Sequence, residues 1–129
     1  MISPLSGPAE RRRIVVTDDD PRLLESIVVT LRGAGYCVFA AYDGRAGCEL
    51  ALAIDQLDLL ITNTRLSNLS AVELIREVRR VKPALRILHV GEPLPPDEPT
   101  MSDVPNLREP FTADQLLREV RRLLGAGGR

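Results

Sequence analysis

The sequence predicts an α/β fold in which a mainly parallel sheet carries helices on both faces. Short apolar runs rich in β-branched residues alternate along the chain with segments whose apolar residues recur at helical spacing. Strands that alternate with helices are typical of parallel sheets, because each helix provides the crossover connection between two strands. A chain of 129 residues has room for one such domain.

The first strand and helix are predicted from the residues that follow Arg11. The run "RRIVVT" is apolar and β-branched, and Asp20 with Pro21 forms a predicted N-cap and first helical position. The glycines of "GAG" at 33 to 35 end the helix. Its apolar residues at helical spacing are Leu23, Leu24, Ile27, Val28 and Leu31.

Four more strands are predicted in "YCVFAA", "LDLLIT", "ALRILHV" and "PNLR". Helices are predicted over 44–54, over 70–81 and after Thr112, and the pairs Ser70 with Glu73 and Thr112 with Gln115 form capping boxes. The predicted apolar face of the 70–81 helix is Val72, Ile75, Val78 and Val81; that of the last helix is Leu116, Leu117, Val120, Leu123 and Leu124.

The stretch between the fourth and fifth strands breaks this regularity. Prolines at 93, 95, 96, 99 and 105 exclude one regular helix, so we expect a turn of helix at most. A surface loop and an altered partner-binding face are both open interpretations of this stretch. Residues 1–10 and 125–129 are predicted to be flexible tails that flank a domain over residues 11–124.

Composition excludes several classes of protein. Charged residues make up 27% of the chain and the net charge is −1, so the sequence predicts neither a nucleic-acid surface nor binding to an anionic membrane. The apolar runs are too short to span a bilayer and the first residues lack a signal peptide, which predicts a cytoplasmic protein. Cys37 and Cys48 are predicted to be unpaired thiols, and His89 a packed, hydrogen-bonded histidine.

Polar residues follow the predicted strands at their carboxyl ends, where ligands bind in open doubly wound sheets. Adjacent acids there offer oxygen ligands to Mg²⁺ or a counter-charge to an arginine. Because no glycine-rich phosphate loop and no G-x-S-x-G motif occurs, we do not expect an enzyme. The residues are Asp18 and Asp19 after the first strand, Asn63 after the third, Gly91 and Glu92 after the fourth, and Arg108 and Glu109 after the fifth.

Three segments together resemble the receiver domain of bacterial two-component response regulators over about residues 12–124. They are "RRIVVTDDDPRLLESIVVTLRGAGYCVFAAYDGRAGCEL", "DLLITNTRLSNLSAVELIREVRRVKP" and "PNLREPFTADQLLREVRRLL". The resemblance implies a flavodoxin-like, doubly wound sheet of five parallel strands in the order 2-1-3-4-5, here with a shortened or irregular fourth helix. It also implies a cis peptide bond between Glu109 and Pro110.

The resemblance fails at the positions that carry the family's chemistry. In that family an acidic pair and an aspartate after the third strand hold magnesium, and this aspartate accepts a phosphoryl group. A hydroxyl residue after the fourth strand and a lysine after the fifth contact the phosphoryl oxygens. Asp18 and Asp19 match the acidic pair, whereas the other three positions are Asn63, Gly91 and Glu109. Asparagine has no anionic oxygen with which to form an acyl phosphate.

These replacements make the predicted pocket more acidic. Three carboxylates without a lysine carry three negative charges, against two in the family's pocket. Two like charges about 5 Å apart repel by roughly 3 kcal/mol at an effective dielectric constant near 20, so we expect the pKa of at least one acid to be raised. Arg65 is the hypothesised internal counterion and Arg108 a second candidate, while Mg²⁺ binding by Asp18 and Asp19 is predicted to be weak.

The sequence thus predicts a degenerate, or pseudo-receiver, signalling module that is not phosphorylated at Asn63. It would act by contacts with signalling proteins such as a histidine kinase or a downstream effector, and a homodimer is also open. One alternative is a phosphorylatable receiver whose acceptor is displaced to another acid, such as Asp103. Another is a divalent-cation-binding module that uses Asp18, Asp19 and Glu109.

Overall fold

The computed structural model describes residues 11–64, 66–94 and 101–125. The predicted tails lie outside the described residues except for Gly125, and so does the predicted counterion Arg65. Of the proline-rich stretch, the part from 95 to 100 also lies outside them.

Five parallel strands, numbered in chain order, form one sheet in the order 2-1-3-4-5, which confirms the predicted fold class. The register aligns the carboxyl ends of the inner strands, since Thr17 pairs with Thr62, and Asn63 pairs with Val90. Residues that follow these ends therefore lie along one edge of the sheet. The strands are β1 Arg13–Thr17, β2 Cys37–Ala41, β3 Leu59–Asn63, β4 Arg86–Val90 and β5 Asn106–Leu107.

Among the described residues four helices cover the sheet, and three of them begin at the predicted caps. The Asp20 side chain accepts a hydrogen bond from the backbone N–H of Arg22, and both predicted capping boxes form. In the described residues between β4 and β5 the chain forms turns. Within the described part of the chain, no helix is both long and apolar enough to cross a membrane. The helices are α1 Pro21–Gly33, α2 Gly44–Ala53, α3 Ala71–Val81 and α4 Ala113–Leu124.

The core has two layers, one on each face of the sheet. Alternate residues of β1 point to opposite faces, so Ile14 and Val16 pack on the side of α1 and α4, and Val15 packs on the side of α2 and α3. β3 is buried along its whole length because it lies in the middle of the sheet. Because β3 lies between β1 and β4, its last residue, Asn63, has a neighbouring strand on each side.

The predicted apolar face of α3 is wrong at one end. Val81 is 59% exposed and Val72 is half-buried, whereas Leu74, which was not predicted, is fully buried. Val81 lies in the last turn of α3, from which the chain runs into the exposed residues Pro83 and Ala84, so it stays at the surface. The face that packs on the sheet is Ala71, Leu74, Ile75 and Val78.

Three local predictions are confirmed. Cys37 and Cys48 are both free thiols. His89 is fully buried and hydrogen-bonded. The Glu109–Pro110 peptide bond is cis, as the resemblance implied.

Gly47 allows α2 to lie close to β1. A Cβ atom at this position would come within 2.2 Å of the Thr17 hydroxyl oxygen, far inside van der Waals contact. We therefore expect Gly47→Ala to lower the free energy of unfolding by about 1–3 kcal/mol, because the helix or strand must shift. Urea denaturation followed by circular dichroism measures this change.

Gly33→Ala is the matched control, since it also places an alanine at a helical glycine. A Cβ atom there meets nothing within 4 Å. The substitution is expected to be neutral or to stabilise the protein by up to about 1 kcal/mol, because alanine favours the helix. Equal effects of the two substitutions would contradict the close approach of α2 to β1.

Candidate functional site

The strand ends form an acidic pocket at the carboxyl edge of the sheet. Asp18 and Asp19 follow β1, Asn63 ends β3, Gly91 follows β4 and Glu109 lies beyond β5. All five predicted site residues line one cavity of about 180 Å³. We call this cavity the acidic pocket; its lining is Asp18, Asp19, Asp20, Leu23, Asn63, Gly91, Glu92 and Glu109.

Asn63 joins two acids of the pocket. Its Nδ2 atom donates to Asp18 Oδ2 at 2.8 Å and to Glu109 Oε2 at 3.2 Å. An amide nitrogen carries two hydrogens, so each carboxylate receives one of them. Because carboxylate oxygens only accept, the amide must turn its nitrogen toward them. Asn63 therefore acts as a neutral donor that separates two negative groups.

Asp18 is the most deeply buried acid of the pocket, with 1% of its surface exposed. Its second oxygen, Oδ1, accepts from the backbone N–H of Asp20 at 2.9 Å. Burial raises the pKa of Asp18, the charges of Glu109 and Asp19 raise it further, and the hydrogen bonds from Asp20 and Asn63 oppose the rise. The predicted direction is confirmed, although burial contributes more to the pKa than crowding by like charges.

Gly91 adopts a backbone conformation that excludes an ordinary hydroxyl residue. Its φ of 104° lies in the region that favours glycine. A Cβ atom here would lie 3.0 Å from Asn63 Oδ1 and 3.1 Å from Thr64 Oγ1. A serine or threonine side chain here would therefore crowd the polar groups at the end of β3.

Sequence reasoning missed two polar contacts at this edge. Ser67 Oγ donates to Asp19 Oδ2 at 3.2 Å and so connects the loop after β3 to the acidic pair. The Thr64 hydroxyl contacts Nε2 of His89 at 3.0 Å. Neither residue belongs to a motif, and only the convergence of separate loops and strands brings these groups together.

Arg108 does not balance the charge of Asp18. Its ion pair is with Glu92 at 3.6 Å, and both side chains are largely exposed. Exposed pairs of this kind contribute little to stability, because water screens them. The alternative counterion, Arg65, lies outside the described residues, and its role stays a prediction.

The pocket does not fit a magnesium ion as it is arranged. Both oxygens of Asp18 accept hydrogen bonds, and the Asn63 amide turns N–H groups toward the acids. Among the residues that the structure describes, no group of three or more histidine, cysteine or acidic side chains is disposed to hold a metal ion. A cation at Asp18 would compete with the N–H groups of Asn63 and Asp20 for the carboxylate oxygens.

Asp103, the alternative acceptor, lies away from the acidic pocket. It precedes β5 and shares a cavity with Arg86, the first residue of β4, at the amino edge of the sheet. Arg79 binds it with two hydrogen bonds, of 3.1 Å and 2.7 Å. These hydrogen bonds lower the pKa of Asp103.

Comparison with known proteins identifies the family. The profile of the response regulator receiver domain matches residues 14–94. The chain belongs to this family. The receiver domain is the signalling module of two-component systems, and the sheet order described above is the architecture of this fold.

Individual relatives cover most of this receiver domain. The chain is 27% identical over 117 residues to the response regulator receiver protein CpdR of Brucella abortus. The match covers 88% of this chain and 97% of CpdR. The chain is 32% identical to the response regulator MprA of Mycolicibacterium vanbaalenii over 118 residues, but spans only 50% of MprA's length.

A solved structure has the same fold. The receiver domain of the sensor histidine kinase PA1611 from Pseudomonas aeruginosa, determined with a magnesium ion coordinated in its active site cleft, superposes with a TM-score of 0.79. The two chains are 24% identical, and the match covers 90% of this chain and 99% of that one.

Replacing Glu109 by glutamine tests the repulsion within the pocket. Glutamine keeps an oxygen that accepts from Asn63 and removes a charge that raises the pKa of Asp18. Because the pKa of folded Asp18 is raised, its stabilising contribution is present in acid and is lost as the pH rises through that pKa. Glu109→Gln should therefore stabilise the receiver domain at neutral pH by about 0.5–1 kcal/mol, a modest gain because Glu109 is exposed.

Urea denaturation between about pH 3 and pH 7 measures this effect, which should vanish in acid where the carboxyl groups are protonated. Glu92→Gln is the control, since Glu92 lines the same pocket but its ion pair is with Arg108. Identical pH profiles for the two variants would show that Glu109 does not act on Asp18.

Proposed function

We propose that this receiver domain is a pseudo-receiver, a signalling module that acts through protein–protein contacts and is not phosphorylated at Asn63. The observation that carries the proposal is the bridge from Asn63 Nδ2 to Asp18 and Glu109. Where a phosphorylated receiver needs a free carboxylate, this chain has an amide nitrogen that donates to two acids.

Chemistry and charge both oppose phosphoryl transfer to this position. A neutral amide is a poor nucleophile and cannot form the acyl phosphate that a carboxylate forms. Glu109 adds a negative charge at the position where a lysine would attract the phosphoryl group. A phosphoryl dianion in the pocket would face Asp18, Asp19 and Glu109 without a facing lysine.

The family's contact between the ends of β3 and β5 is retained here, but donor and acceptor have exchanged places. The family's carboxylate on β3 is replaced by an amide donor, and its ammonium group beyond β5 by a carboxylate acceptor. Asn63 and Glu109 therefore still connect the two strands by a hydrogen bond of 3.2 Å. This hydrogen bond supports the proposal that the pocket holds the domain in one conformation and does not take part in a phosphorylation reaction.

The partners that fit this role are signalling proteins, such as a histidine kinase or a downstream effector. A net charge of −1 favours neither nucleic acid nor an anionic membrane as the binding surface. As a two-component signalling protein, it is proposed to act in the cytoplasm. A homodimer is compatible with the role.

Intact mass measurement after incubation with acetyl phosphate and Mg²⁺ tests the proposal. The native protein is expected to gain no phosphoryl group, because Asn63 supplies no nucleophile. The double substitution Asn63→Asp with Glu109→Lys restores both the acceptor and the cation, and it should gain one group that is labile to base, as an acyl phosphate is. The single substitution Asn63→Asp should react more slowly, since Glu109 would still repel the donor.

A stoichiometric, labile gain of mass by the native protein would contradict the proposal. Asp103→Asn then identifies the acceptor, because loss of the gain in that variant would assign it to the displaced position. Circular dichroism of each variant establishes that it is folded before its reactivity is compared.

Magnesium binding provides an independent measurement of the same pocket. Calorimetry should detect only weak binding by the native protein, and Asn63→Asp should raise the affinity at least about tenfold, because it adds a carboxylate ligand and removes the amide donor. Ser67→Ala is the control, since it leaves the number of carboxylates unchanged. Tight binding by the native protein would favour the cation-binding alternative.

A further inference from the structure

A second polar network lies beside the acidic pocket, and it is centred on the chain's only histidine. His89 is fully buried in β4. Its Nδ1 atom contacts Oδ1 of Asn106 on β5, and its Nε2 atom lies 3.0 Å from the Thr64 hydroxyl after β3. Thr64 also reaches the backbone carbonyl of Glu92 at 2.5 Å. We call Asn106, His89, Thr64 and the Glu92 carbonyl the His89 network.

The orientation of Asn106 fixes one hydrogen of the ring. Asn106 Nδ2 donates to the backbone carbonyl of Gly91 at 3.3 Å. The nitrogen of the amide is thereby directed at the carbonyl, and its oxygen faces the ring. Because this oxygen only accepts, Nδ1 of His89 must carry a hydrogen.

The Thr64 hydroxyl has only one hydrogen to donate. The Glu92 carbonyl, which can only accept, is its nearest acceptor at 2.5 Å, whereas the Val90 carbonyl lies 3.5 Å away. If the ring is neutral with its hydrogen on Nδ1, the bare Nε2 requires the same hydrogen of Thr64. Two acceptors then compete for one donor, and one contact is lost.

The other neutral form of the ring also leaves one contact of the network unsatisfied. With the hydrogen on Nε2, Thr64 is free to donate to Glu92, but the bare Nδ1 faces the oxygen of Asn106. Turning the Asn106 amide over would direct its oxygen at the Gly91 carbonyl instead. Only the doubly protonated ring, which donates from both nitrogens, satisfies every contact of the network.

Burial acts against that charged form. It lowers the pKa of His89, and the hydrogen bond to Asn106 opposes this shift. Burial therefore favours the neutral ring, and in that form the network lacks one hydrogen. Asn106 is exposed on the edge strand β5, so it connects the buried ring to solvent.

The His89 ring is the group of the His89 network that titrates, and its surroundings in the sheet are apolar. β3 and β5 contain no ionisable residue, and α3 packs an apolar face on this side of the sheet. Asp18 and Glu109 bind the Asn63 amide, and Glu92 and Arg108 pair with each other. Asp103, in the segment that leads into β5, is bound by Arg79. The remaining ionisable residues on β4, α2 and α3 occupy exposed or half-buried positions: Arg86, Arg45, Cys48, Glu49, Glu73, Arg76, Glu77, Arg79 and Arg80.

We propose that His89 is a proton-operated switch that ties the loop after β4 to the ends of β3 and β5. Gain of one proton by the ring frees the Thr64 hydroxyl for the Glu92 carbonyl, and loss of that proton releases one of these contacts. Glu92 lines both the acidic pocket and an adjoining cavity of about 620 Å³ between α1 and α4. The protonation of His89 thereby adjusts the edge of the domain without any phosphorylation of the acidic pocket.

Nuclear magnetic resonance of the protein labelled in its histidine ring tests this switch. Because the chain has one histidine, its ring signals need no further assignment. The ring is expected to titrate in the folded protein below its ordinary pKa, and the amide signals of Gly91 and Glu92 should shift with the same midpoint. Thr64→Val removes the hydroxyl, so it should lower the pKa of His89 by about one unit and abolish the shared midpoint.

Two matched variants distinguish the switch from a general effect of mutation. Thr64→Ser keeps the hydroxyl and should retain the native titration, and Ser67→Ala removes a different hydroxyl of the same edge and should also leave it unchanged. The proposal is overturned if the ring stays neutral at every pH at which the native protein is folded. An unchanged midpoint of the Glu92 amide in Thr64→Val would also overturn it. Asn106→Ala, at the exposed edge, is the second test: it removes the hydrogen bond that opposes the effect of burial, so the pKa of His89 should fall further.

Discussion

The acidic edge of this receiver domain depends on the hydrogen bonds of one amide group. Asn63 Nδ2 contacts Asp18 and Glu109, so two carboxylates that would otherwise repel each other share a neutral donor. A carboxylate at this position would leave both acids without that donor and add a third charge. The geometry of the pocket and the absence of a carboxylate at position 63 thus have the same cause.

The pocket and the His89 network meet at Gly91. A side chain there would crowd Asn63 Oδ1, which belongs to the pocket, and Thr64 Oγ1, which belongs to the network. Asn63 and Thr64 are neighbours on the chain, and Gly91 follows β4, beside β3, closely enough to contact both. Because tightly packed polar groups have few alternative arrangements, we expect a change in one network to alter the other.

Much of the fold could be predicted from local patterns. Asp20, Ser70 and Thr112 are side chains that cap helices by contacts within a few residues, and the structure confirms all three. Val81 was predicted to be buried and is exposed, because burial depends on what packs over a helix end and not on helical spacing alone. The prediction of a crowded pocket was right for Asp18, but burial, which a sequence does not reveal, is the larger influence on its pKa.

The sequence by itself determined the order of strands and helices, the residues at the carboxyl edge and the absence of a carboxylate at Asn63, because these follow from periodicity, capping and residue identity. Only the tertiary structure decided which way the Asn63 amide turns, that Arg108 pairs with Glu92, and that His89 connects β5 to the loop after β4. These contacts join residues far apart in the chain. Their hydrogen-bond directions are set by which donors and acceptors the packed sheet brings within about 3 Å of one another.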